Sequence, residues 1–270
     1  MSSHDRPPEN LSDAWRDNVA RHRGRLRLTR SIFRTLPADP RCKFCYAPFA
    51  GAGSRLIRPF GYRPSRKNPQ MCAACIEKGP DGGFEDEAGI LFADVRGFTT
   101  LSETTAPTEL GELMNRFYET ASEILVRHDG IVDKLVGDAV MGLFWPPLVD
   151  GDVLVHMVEA GEELLRALEA DERSSLPVGV GLDFGRVYMG NVGPPSMRDF
   201  TALGDAVNTA SRLQGAAGPG QLIMSGPVYQ GVGERYPGAE AVDLELKGKS
   251  APVAAWIVDV GRPVPVPAAP

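Results

Sequence analysis

Residues 89–260 alternate between two hydrophobic periods in a set order, and few topologies accommodate that order. Residues 89–95 form a continuous apolar run, the pattern of a buried strand. Residues 109–128 place Leu110, Leu113, Met114, Phe117, Tyr118, Ala121, Ile124 and Leu125 along one helical face. Residues 131–136 and 139–144 read as two strands joined by the tight turn Gly137-Asp138. A second helix is expected over 152–170 and a further strand over 178–183. The resulting order β-α-β-β-α-β predicts an α/β (α+β) fold with a ferredoxin-like core. Added to it are an expected strand over 186–192, a helix over 206–216 and strands near Leu222, Val242 and Ala254. No internal repeat is present.

The first 80 residues differ in kind. They hold 16 Lys/Arg against 6 Asp/Glu, whereas residues 81–270 hold 13 against 29. That asymmetry predicts two units with different partners. Residues 1–38 read as a polar tail followed by a basic amphipathic helix over 11–33, in which Leu11, Trp15 and Val19 recur every fourth position. Such a helix either packs on its own domain or offers a surface to a protein partner or a second copy. The basic balance also admits nucleic acid or anionic lipid, but nucleic acid is not the favoured partner. Residues 39–78 form a short module rich in Pro, Gly and Arg, residues 79–88 a linker, and 261–270 a Pro-rich tail. No apolar run reaches the roughly 18 residues of a transmembrane segment, and the N-terminus lacks an apolar signal core. A cytoplasmic location is therefore expected.

All four cysteines lie in the small module. Cys42-Lys43-Phe44-Cys45 and Cys72-Ala73-Ala74-Cys75 are a CxxC pair separated by 26 residues. Each half can bring two thiolates to one ion, and four complete a tetrahedral Zn²⁺ site. An iron–sulfur cluster uses the same ligand set and is the alternative. The reducing cytoplasm disfavours disulfides.

Two aspartates stand where chemistry is concentrated in such a fold. Asp94 ends the first strand, ahead of Arg96-Gly97-Phe98-Thr99, and Asp138 sits in the hairpin turn. The first strand and the hairpin are neighbours in a ferredoxin-like sheet, so the two carboxylates can meet at one edge. Paired carboxylates beside a Gly-containing turn suit divalent ions that bridge nucleotide phosphates. An aspartate at a strand end is, on its own, more often a turn residue.

Four blocks carry a resemblance to class III adenylyl and guanylyl cyclases. The string from Phe92 to Thr99, Phe-Ala-Asp-Val-Arg-Gly-Phe-Thr, is similar to their phosphate and metal loop. Asp133-Lys134-Leu135-Val136-Gly137-Asp138 resembles their second metal-binding hairpin. Gly185-Arg186-Val187-Tyr188-Met189-Gly190 and Thr201-Ala202-Leu203-Gly204-Asp205-Ala206-Val207-Asn208-Thr209-Ala210-Ser211-Arg212 match two further blocks. The likeness covers about residues 85–260, so that 89–260 is expected to be the catalytic domain. It does not extend to the first 80 residues.

The resemblance implies a role for each matching position. Asp94 and Asp138, with the Val95 carbonyl, would hold two Mg²⁺ or Mn²⁺ ions, and Gly97, Phe98 and Thr99 would line the phosphates. Lys134 and Thr201 would contact adenine, Asn208 would orient the ribose, and Arg212 would stabilise charge at the α-phosphate. Arg186 and Lys247 would reach the terminal phosphates. Guanylyl members usually carry an acidic residue where Lys134 stands, and a lysine donor suits adenine N1, so ATP is the expected substrate and cyclic AMP the product. Active sites of this family form between two catalytic domains, which implies a homodimer with two complete sites. A catalytically weak nucleotide-binding relative acting as an interaction partner is the alternative. Retention of Asp94, Asp138, Asn208 and Arg212 argues against it. His128 and His156 lack such company and read as structural.

Overall fold

The computed structural model describes residues 32–33, 35, 40–42, 44–65, 71–76, 82–170, 176–194 and 199–260, which fall into two compact units. One unit contains the described residues up to Asp86 together with Tyr188–Leu203, and the other contains Glu87–Val187 and the described residues from Gly204 onward. Most of the basic helix expected over 11–33, the first part of the expected linker and the tail 261–270 lie outside the described residues.

The chain forms β1 (Gly82–Val95), α3 (Phe98–Thr104), α4 (Pro107–Arg127), β2 (Ile131–Val136), β3 (Ala139–Phe144), α5 (Val153–Ala170), β4 (Val178–Val192) and β5 (Asp199–Leu203). It continues through α6 (Asp205–Ala216), β6 (Gln221–Ser225), α7 (Gly226–Val232), β7 (Glu240–Leu244) and β8 (Val253–Asp259). Two short helices, α1 (Gly51–Ile57) and α2 (Ala73–Ile76), precede them. The sheet order is β2-β3-β1-β4-β6-β8-β7, with β5 paired to β4 off that path. Its first four strands, β2-β3-β1-β4, are the expected ferredoxin-like core.

The helical periods translate directly into burial. On α4 the residues Met114, Phe117, Ala121, Ile124 and Leu125 are buried, spaced three or four apart on one face. They join Leu91, Ala93, Val140, Phe144, Leu164, Val180 and Leu182 in the main core of the larger unit. α6 lies closer to the sheet than ordinary side chains permit. A Cβ on Gly181 of β4 would stand 2.1 Å from the Gln214 nitrogen and 2.4 Å from the Ala210 oxygen. Only a glycine lets the α6 backbone rest directly on that strand.

Two expectations about the strands are corrected. β1 begins at Gly82, inside the stretch expected to be a linker. Gly82-Gly83 reads locally as turn punctuation. Here the missing side chains allow a close backbone crossing instead, because a Cβ on Gly83 would fall 2.1 Å from the Met189 oxygen. The strands expected over 178–183 and 186–192 are one continuous strand, β4, running through Phe184 and Gly185. The short elements α3, α7 and β5 are not predicted by the hydrophobic pattern.

Candidate active site

Asp94, the penultimate residue of β1, lies opposite Ala139, the first residue of β3. The Val95 N–H donates to the Asp138 carbonyl oxygen at 3.2 Å, which ties the end of β1 to the hairpin turn. Burial pushes the Asp94 carboxyl above the ordinary carboxylate range, and the nearby Asp138 charge adds to that push. Arg96 opposes it through a 2.8 Å contact between its Nη2 and Asp94 Oδ1. Two carboxylates held this way repel one another, and a divalent cation between them removes the repulsion. The residues present therefore fit a metal site.

The loop after Asp94 turns sharply. Gly97 adopts φ 69° and precedes α3, the short helix that carries Phe98 and Thr99. Tyr118, on α4, donates its hydroxyl hydrogen to the Gly137 carbonyl oxygen, fastening the turn that presents Asp138. In the sequence Tyr118 is one position of an apolar helix face. Gly137 lies 19 residues further along the chain, and no local pattern signals the contact.

Lys134 lies on β2, where the pairing with β3 shifts register between Val132 and Lys134. That irregularity places Asp133 beside it, with Lys134 Nζ 3.3 Å from Asp133 Oδ2. The Lys134 side chain is 35% exposed while that of Asp133 is 1% exposed, so the lysine reaches outward from a buried counter-charge. Next to it Leu135 and Val136 are exposed apolar residues.

Asn208 and Arg212 are four residues apart on α6 and so share a helical face. The Arg212 guanidinium lies against the turn after Leu246, where a Cβ on Gly248 would meet its Nη2 at 3.2 Å. Leu246 packs with Leu213, Ala217, Ile223 and Ala255 in a smaller core that anchors this turn to α6. Lys249 Nζ contacts Asp205 Oδ2 at 2.6 Å in the first turn of α6. Lys247 is exposed and lines a cleft of about 360 Å³ with Glu245, Lys249 and Ser250. Arg186 is exposed on β4. The larger unit thus brings Asp94 to Asp138, and Arg212 to the turn that carries Lys247.

Thr201 belongs to the chain's other unit. It lies on β5, opposite Gly190 of β4, and is buried. Its hydroxyl donates to the Ala202 carbonyl at 3.4 Å.

The same unit holds the four cysteines. Their sulfur atoms all lie within 4.8 Å of one another, with Cys42 and Cys75 3.9 Å apart and Cys45 and Cys72 3.6 Å apart. None forms a disulfide. Cys42 N–H donates to the Ala47 oxygen and Tyr46 N–H to the Cys42 oxygen, and Tyr46 takes a left-handed φ of 61°. These bonds fold the first CxxC into a tight knuckle. The Cys72 N–H donates to Cys42 Sγ at 3.2 Å and joins the second half to the first. Burial raises the Cys42 thiol, but hydrogen bonds from Cys45, Cys72 and Cys75 hold it well below its ordinary value. Hydrogen bonding to Cys42 pushes Cys45 and Cys75 up. Four crowded sulfurs, one of them held toward the thiolate, are the setting a soft cation stabilises.

A family model for the adenylate and guanylate cyclase catalytic domain matches residues 83–259. The chain is 34% identical over 150 residues to Adenylate cyclase 1 of Rhizobium meliloti, which covers 52% of this chain and 23% of that relative. It is 39% identical over 137 residues to an adenylate cyclase of Anabaena cylindrica, covering 47% and 26% of the two. The chain thus spans about a quarter of the length of these curated relatives. The structure is similar to that of the guanylyl cyclase Cya2, with a TM-score of 0.61, 28% identity and coverage of 67% of this chain and 96% of that one. It is also similar to the adenylyl cyclase CyaB from P. aeruginosa, with a TM-score of 0.59, 29% identity and coverage of 67% and 98%. Among the described residues no helix is long and apolar enough to cross a membrane.

Proposed function

The chain belongs to the adenylate and guanylate cyclase catalytic-domain family over residues 83–259, and from that premise we propose that it converts ATP to 3′,5′-cyclic AMP and pyrophosphate. The observation that carries this reading is the closeness of the Asp94 and Asp138 carboxyls where the end of β1 is tied to the hairpin turn. Asp94, Asp138 and the Val95 carbonyl would hold two Mg²⁺ or Mn²⁺ ions. Such ions, when bound, lower the pKa of the ribose 3′ hydroxyl and neutralise the departing pyrophosphate.

The chain's own groups supply position and charge. Asn208 orients the ribose, and Arg212 grips the α-phosphate oxygens while the 3′ oxygen bonds to phosphorus and pyrophosphate leaves. Arg suits that task because it stays cationic and binds oxygens bidentately. Its contact with the turn at Gly248 limits its freedom before substrate arrives. Arg186 and Lys247 hold the terminal phosphates, and Gly97, Phe98 and Thr99 line them.

Two features favour ATP over GTP. Lys134 is a donor and matches adenine N1. Thr201 offers a hydroxyl oxygen that can accept from the adenine amino group. The active form is a homodimer with shared sites. One chain supplies Asp94, Asp138 and Arg186, and the other supplies Lys134, Thr201, Asn208, Arg212 and Lys247. Exposed Leu135 and Val136 beside Lys134 provide apolar surface for such an interface.

The four-cysteine module holds one Zn²⁺ and regulates the enzyme, and the basic N-terminal segment engages a protein partner. Four sulfurs around one zinc at about 2.3 Å sit about 3.8 Å apart by tetrahedral geometry. The observed 3.6 and 3.9 Å support a single shared ion over a multi-iron cluster. The direct test is product formation from ATP and from GTP by purified protein, with Mg²⁺ and then Mn²⁺. Cyclic AMP formation from ATP is expected. Exclusive use of GTP would overturn the substrate, and no product with either would overturn the activity.

A further inference from the structure

Phe44 lies inside the first CxxC, between Cys42 and Cys45. Its ring meets that of Phe200 edge-on, with centroids 6.1 Å apart and planes at 84°. Phe200 is 6% exposed and immediately precedes Thr201 on β5. Compact packing accordingly groups the cysteine module with Tyr188–Leu203, the segment that contains β5.

Phe200, Thr201 and Ala202 of β5 are all buried, so the strand's position is set by the groups packed on it. The strand is five residues long and pairs with β4 alone among the described residues. Successive side chains on a strand point to opposite faces, so Phe200 and Ala202 share one face and Thr201 takes the other. A displacement of Phe200 therefore moves Thr201 with it. Phe44 in turn cannot move independently of the sulfurs that flank it, because the knuckle bonds between Cys42, Tyr46 and Ala47 fix the loop around it.

We propose that Phe44 is a positioning residue through which the metal-loaded cysteine knuckle holds β5, and with it Thr201, in place for the nucleotide base. The inference rests on the readings of the knuckle as a zinc site and of Thr201 as a base contact. It adds the route by which one acts on the other. Zinc does no chemistry on the substrate. It keeps Phe44 seated on Phe200, so that the Thr201 hydroxyl is pre-organised before the base arrives. Loss of zinc frees Phe44, loosens β5 and weakens recognition of adenine while leaving the phosphate-binding groups alone.

The test measures binding of 3′-deoxy-ATP, which cannot cyclise, to the full-length protein alongside zinc content and steady-state kinetics. Phe44→Ala should keep one zinc per chain and weaken 3′-deoxy-ATP about three- to tenfold, the range expected from loss of one edge-on aromatic contact. KM for ATP should rise in parallel with kcat little changed, and preference for ATP over GTP should narrow. Cys45→Ser should lose zinc and show the same shift, and the double variant should be no worse than either single one. Should Phe44→Ala shed its zinc, Phe200→Leu tests the same contact from the strand side. Zinc-loaded variants that bind 3′-deoxy-ATP as tightly as wild type would overturn the coupling. Wild-type protein without zinc would overturn it at the metal, and wild-type protein that binds no adenine nucleotide would overturn it at the base.

Discussion

Tyr118 on α4 donates its hydroxyl hydrogen to the carbonyl oxygen of Gly137, so a core helix holds the turn that presents Asp138. The phenol body packs beside Phe117, with ring centroids 5.7 Å apart, while its polar end reaches the hairpin. Tyr118→Phe keeps the packing and deletes the bond. It should cost about 1 kcal/mol of stability and shift the Mg²⁺ or Mn²⁺ dependence of turnover to higher concentration. A metal titration matching wild type would mean that β-pairing alone positions Asp138.

Asp94→Asn removes one of two mutually repelling carboxylates and retains an acceptor for Arg96. Turnover should be abolished, because the ion pair that activates the ribose hydroxyl loses a ligand. In chelator the variant should melt no lower than wild type. The gain in melting temperature that divalent ions give wild-type protein should shrink or vanish. Undiminished stabilisation by Mg²⁺ or Mn²⁺ would remove Asp94 from the metal site.

Sites shared between chains make a prediction that no single-chain site would. Asp138→Ala and Arg212→Ala homodimers should each be inactive, since every site lacks one essential group. After subunit exchange the mixed dimer has one intact site and one doubly damaged site, and part of the activity should return. Verified exchange without recovery would place the whole site within one chain.

Lys134 leans on the buried Asp133 carboxylate. Lys134→Glu puts an acceptor opposite adenine N1 and a second negative charge beside Asp133, so ATP use should fall sharply and stability should drop as well. Lys134→Gln separates the two effects, because it removes the positive charge without adding a negative one. Its KM for ATP should rise while its melting temperature stays nearer wild type. Unchanged ATP kinetics in Lys134→Gln would show that Lys134 does not read the base.

Much of this molecule was legible from residue order. The periods over 109–128 and 152–170 specify amphipathic helices because burial needs one apolar face, and α4 and α5 follow them closely. The CxxC spacing specifies two ligand pairs, and the four sulfurs do converge. The blocks around Asp94, Asp138, Asn208 and Arg212 identify the family. What residue order left open depends on contacts between distant segments. Gly82-Gly83 has the local chemistry of a turn, and only the approach of Met189 makes it the start of a strand. Tyr118 looks like one more core aromatic until the fold brings Gly137 to its hydroxyl. The cysteine module and β5 are more than 100 residues apart in the chain. Their contact through Phe44 and Phe200 exists because tertiary packing buries apolar area wherever complementary surfaces meet, and no local pattern encodes that partner.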